Sequence, residues 1–66
     1  MNVDNQIKDL ENTRAAKMAA MEEITGKTLE EGRTKDAAER EQFSELRDEV
    51  KSIDEELTDL RDMQKM

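Results

Sequence analysis

Six apolar residues in the second half of the chain, Phe43, Leu46, Val50, Ile53, Leu57 and Leu60, follow one another at alternating steps of three and four. A helix of 3.6 residues per turn gathers such a series into one narrow stripe, whereas the period of two in a strand would scatter it over both faces. The positions between them are nearly all Asp, Glu, Lys, Arg, Ser or Thr. This is a coiled-coil seam, with Phe43, Val50 and Leu57 at a and Leu46, Ile53 and Leu60 at d. A stripe of this kind has to be covered by another helix.

The start of the seam helix is marked by Asp36 with Glu39 three residues later, a capping-box pattern that satisfies two backbone N–H groups left free at a helix start. The spacing predicts a second helix over about 36–65, roughly 45 Å long at 1.5 Å per residue. The first half reads as helix over about 3–31. Val3, Ile7, Leu10, Arg14, Met18, Met21, Thr25 and Leu29 step by three or four and return every eleven residues, which implies a nearly straight stripe unlike the heptad that follows. Asn2 or Asp4 can cap its start, and Ala15, Ala16, Ala19 and Ala20 flank the stripe where a neighbouring helix could approach. Gly26 is expected to be a weak point or slight bend, at about 1 kcal/mol relative to Ala. The break itself is expected at 32–35, where Gly32 can take the left-handed conformation that ends a helix. Two helices with a short connection predict an all-α antiparallel hairpin. Its expected packing stripes are Ile7, Leu10, Met18 and Met21 against Phe43, Leu46, Val50, Ile53, Leu57 and Leu60, with Gly32, Asp36 and Glu39 forming the turn and cap.

A chain of 66 residues, with neither Cys nor His, has no disulfide or ordinary zinc ligand set to supplement a small core. Association into a helical bundle is therefore expected. A parallel self-zipper of the second helix is poorly specified. Its g-to-e′ pairs would be Gln42–Arg47, Glu49–Asp54 and Glu56–Arg61: one neutral, one repulsive, one attractive. Packing on the first helix, or in a larger assembly, is the better solution. Met18 and Met21 read as ordinary stripe residues, and Met63 and Met66 as a frayed end.

Composition argues against other functions. Eleven basic residues against eighteen acidic give a net charge of −7, and neither half of the chain offers a basic face for a phosphate backbone. No apolar run approaches the roughly 18 residues a membrane span needs, so a soluble chain is expected. Gly26-Lys27-Thr28 looks like the end of a phosphate-binding loop, but position 21, where the first glycine would stand, is Met. The carboxylate groups Glu22-Glu23, Glu30-Glu31 and Asp54-Glu55-Glu56 read as a solvated face, since neighbours on a helix point in different directions and there is little apolar mass to build a pocket around them. No catalysis, cofactor, metal, nucleic acid or small-molecule ligand is expected.

One further feature is the order of the elements. Thr13-Arg14-Ala15-Ala16-Lys17, Glu30-Glu31-Gly32-Arg33, Asp36-Ala37-Ala38-Glu39-Arg40, Phe43-Ser44-Glu45-Leu46 and the run through Val50, Ile53-Asp54-Glu55, Leu57 and Leu60 together resemble the N-terminal delta, or scaffolding, domain of tailed-phage major capsid proteins of the HK-ninety-seven-like fold. The likeness covers essentially the whole chain. Lys35 departs from it, standing where that family often has Leu, as does Gly26. The resemblance implies a chaperone tied to a shell subunit, facing the interior of a prohead assembled in the bacterial cytoplasm. It further implies self-association through helices, contact with capsid subunits, portal and prohead protease, removal by that protease, and a reading frame that continues past Met66. The alternative reading is a stand-alone acidic coiled-coil adaptor that binds a partner protein.

Overall fold

The computed structural model describes residues 2–66. Asn2 starts the first helix, its side-chain oxygen accepting the Asp4 N–H at 2.8 Å, and α1 then runs unbroken over Val3–Glu30. The second helix, α2, spans Ala37–Gln64. They lie antiparallel in a hairpin 49 Å long and about 16 Å across. α1 runs through Gly26 without interruption. The Gly26-Lys27-Thr28 tripeptide is ordinary helix.

The connection is compact because each of its residues has a task. Gly32 adopts φ +63°, the left-handed conformation expected of it. Its N–H donates to the Leu29 carbonyl at 3.2 Å, and the Arg33 N–H donates to the Thr28 carbonyl at 3.0 Å. This pair of bonds is a Schellman closure, which satisfies carbonyls that a helix end otherwise leaves open. Asp36 then caps α2. Its carboxylate accepts the Glu39 N–H at 2.8 Å, and the Glu39 carboxylate accepts the Asp36 N–H at 3.1 Å, completing the capping box.

Burial follows the seam. Ile7, Leu57 and Leu60 form a buried cluster, against which Val3, Leu10 and Ile53 pack. Val50 and Ile24 are buried as well. On α1 the observed inward positions are Val3, Ile7, Leu10, Arg14, Lys17, Met21, Ile24 and Thr28, all buried or half-buried. Their steps alternate four and three from end to end, so α1 carries a heptad stripe matching that of α2. The eleven-residue repeat is thereby corrected. From Met21 the stripe continues through Ile24 and Thr28, leaving Thr25 half-buried at its margin and Leu29 75% exposed. Two heptad helices can follow each other along their whole length, which an eleven-residue stripe could not do against a seven-residue one. The buried Thr28 hydroxyl is satisfied by donating to the Thr25 carbonyl at 2.9 Å.

Candidate functional site

The seam between α1 and α2 is the feature from which function must be argued. Of the predicted packing residues, Ile7, Val50, Leu57 and Leu60 are buried; Leu10, Met18, Met21, Phe43, Leu46 and Ile53 are half-buried. Of these ten, Ile7, Leu10, Ile53, Leu57 and Leu60 belong to one packed cluster. Toward the termini Leu57, at 2% exposure, packs with Ile7 and Leu60, and toward the turn Ile24, Thr28 and Val50 are buried. Toward the turn, Met18, Met21, Phe43 and Leu46 stay half-buried outside that cluster, and Leu29 stands free of the seam. Ala15, Ala16 and Ala19 are exposed rather than pressed against α2, and only Ala20 is half-buried. Met63 and Met66, at 61% and 99% exposure, lie outside the packing.

Midway along the seam the apolar contact is replaced by charge. The Arg14 Nε donates to Asp54 Oδ1 at 2.6 Å, and Arg14 Nη2 reaches Asp54 Oδ2 at 3.4 Å. Lys17, the next inward residue of α1, pairs with Glu49. These two cations sit at heptad positions that an uninterrupted seam would fill with Leu or Ile. Their long methylene stems cover the seam while the heads emerge on either side, one toward Asp54 and one toward Glu49. The Asp54 carboxylate, by accepting from the guanidinium, raises the Arg14 pKa above its already high usual value, so Arg14 stays protonated. Further out, Arg61 Nη2 donates to Glu11 Oε2 at 2.9 Å and Gln64 donates to Asp4. The sequence pattern places Arg14 on the stripe but omits Lys17. The signal that could have found it is that Arg14 and Lys17 together complete the alternation between Leu10 and Met21.

The turn holds a second polar centre. Arg33 donates from Nη1 and Nη2 to the two Glu39 carboxylate oxygens at 2.6 and 3.0 Å, from Nε to Glu31 at 2.9 Å, and from Nη1 to the Thr34 carbonyl at 3.1 Å. One side chain thus ties the end of α1 to the cap of α2. The Arg33 guanidinium, with the Asp36 N–H assisting, lowers the Glu39 pKa from 4.5 to about 2. In the other direction, hydrogen bonds to Glu39 and then Glu31 raise the pKa of Arg33 further. The Lys35 ammonium lies 4.5 Å from the centre of the Phe43 ring. This cation–π contact ties the connection to the second turn of α2. The sequence identifies Gly32, Asp36 and Glu39 but assigns Arg33 no role. Nothing in spacing alone pairs an Arg at a helix end with a carboxylate six residues on.

No family model, curated protein or solved structure matches this chain. Among the described residues no helix is long and apolar enough to cross a membrane, and no three carboxylates gather as a metal-binding group. What the arrangement offers is a charged rod, 49 Å long, whose seam leaves Met18, Met21, Phe43 and Leu46 half-buried and Leu29 exposed.

Proposed function

We propose that this chain is a scaffolding segment of the delta-domain kind, which guides subunits of a phage shell into a prohead through helix–helix contacts and performs no chemistry of its own. In this reading it forms the N-terminal part of a capsid protein, works inside the prohead, and is removed by the maturation protease. The observation that carries the reading is the apolar surface that the hairpin leaves uncovered. A two-helix hairpin with Met18, Met21, Phe43 and Leu46 half-covered and Leu29 exposed still has apolar surface to offer a neighbour.

Support also comes from the order of cap, turn and seam residues given above, and from the energetics of assembly. A small helical contact is weak by itself. Repeated on many subunits held at high local concentration, such contacts become collectively strong while each remains reversible, so that misplaced subunits can leave. The net charge of −7 would oppose DNA, in keeping with a segment cleared before a genome enters. The decisive experiment is to sequence the natural reading frame downstream of Met66 and express the encoded subunit with and without residues 1–66. The expected result is a β-containing shell domain whose ordered particles, seen by electron microscopy, require the segment. A stop codon directly after Met66, with the 66-residue product recovered bound to another protein, would replace this reading by that of an adaptor.

A further inference from the structure

One flank of the hairpin carries opposite charges on its two helices. It is the flank marked by the Arg14–Asp54 and Glu11–Arg61 pairs. At about 100° per residue it continues toward the turn through Met18, Glu22 and Leu29 on α1, and through Arg40 and Arg47 on α2. Except for the half-buried Met18, these residues are all exposed. Arg47 reaches back only along its own helix, to Ser44 Oγ at 3.3 Å and to Asp48 at 4.0 Å. Counting on from the Arg14–Asp54 and Lys17–Glu49 pairs puts Glu22 about level with Arg47 and Leu29 about level with Arg40. This flank also bears the row Met18–Leu29, which diverges from the seam as Ile24 and Thr28 take over the inward positions.

We propose that a second copy of this chain seats on this flank. A two-fold axis parallel to the helices would relate the copies, and α1 of each would lie against α2 of the other. Such an axis keeps both turns at one end and makes all neighbouring helices antiparallel, which is the up-and-down four-helix bundle. It brings Glu22 of each copy to Arg47 of the other and lays the stems of the Arg40 side chains over Leu29. Because the contact is isologous, each of these pairs occurs twice.

The proposal names the partner for the association that the scaffolding reading requires, and rests on that reading only for its biological setting.

Sedimentation equilibrium of the 66-residue chain across micromolar to millimolar concentration tests it. The expected result is a reversible dimer. Arg47→Glu should weaken it by at least about tenfold, because like charges then face each other at two symmetry-related points. Leu29→Glu should weaken it also, and Glu22→Arg together with Arg47→Glu in the same chain should restore it. Met63→Glu, on the far flank, should leave it unchanged, and helicity at high concentration should match in every variant. A monomer at millimolar concentration, an Arg47→Glu dimer of unaltered strength, or a charge swap that fails to recover association would each overturn the proposal. If the dimer behaves as stated but deleting residues 1–66 leaves particle assembly intact, the scaffolding reading falls and the surface stands. A monomeric chain whose deletion still impairs assembly would do the reverse, sinking the surface and sparing the scaffold.

Discussion

Truncating Leu57 to Ala probes the packing most directly, because this side chain is only 2% exposed and sits between Ile7 and Leu60. Leu-to-Ala changes in cores cost about 2–5 kcal/mol, depending on how far the site can collapse. A seam two helices thick can close up more readily than a globular interior, so the expected loss is about 2–3 kcal/mol. Leu46 is half-buried, and the same truncation there should cost roughly half as much. At Leu29, 75% exposed, it should fall within about 0.5 kcal/mol of zero. The helix-propensity gain on going from Leu to Ala is common to all three and cancels in the comparison. A domain of this length has roughly 3–10 kcal/mol of stability in all, so Leu57→Ala should lower Tm by about 10–20 °C. Thermal and urea melts followed by circular dichroism at matched protein concentration read the series, since association would otherwise shift the midpoints. If Leu29→Ala destabilised as much as Leu57→Ala, the assignment of inward and outward faces on α1 would be refuted.

Other expectations concern the backbone and the turn. A Cβ at Gly26 would meet nothing within 4 Å, so Gly26→Ala should stabilise the helix by about 1 kcal/mol in urea melts. Gly32→Ala should instead destabilise by about 1–2 kcal/mol, because φ +63° is strained for any residue with a Cβ even where space is free. A gain in stability there would contradict the turn geometry. For Glu39 the folded pKa, about 2, lies below its unperturbed 4.5. Its contribution is therefore complete above pH 4.5 and is lost as pH falls toward 2. Glu39→Gln should flatten the stability curve across that interval, and curves falling in parallel for both proteins would disprove the Arg33–Glu39 tie.

The second helix is legible in the sequence because every a and d position from Phe43 to Leu60 is apolar and the capping box precedes them in the expected order. The first helix is legible as a helix but not in its pattern. The expected stripe steps around Lys17 to Met18, rejoins the observed one at Met21, and leaves it again by stepping four to Thr25 and Leu29 where the structure steps three to Ile24 and then to Thr28. The structure corrects it because Lys and Arg can lie along a seam on their stems, provided an acid waits at its margin. Such acids exist at Glu49 and Asp54, but their partnership with α1 depends on which residues face each other across the hairpin. Arg33 is hidden from sequence for a similar reason. Its carboxylate partner is brought near by the turn itself.

The charged layer decides how α1 may be aligned along α2. Sliding one helix past the other by seven residues would leave most apolar contacts intact, since both stripes repeat at that interval. Asp54, however, is the lone acid in the row Arg40, Arg47, Asp54, Arg61. A displacement of one heptad either way would confront Arg14 with another guanidinium. The Schellman and capping-box bonds of the turn, which such a slide would break, select the same alignment, so the ratchet has a single tooth and the hairpin closes in one register.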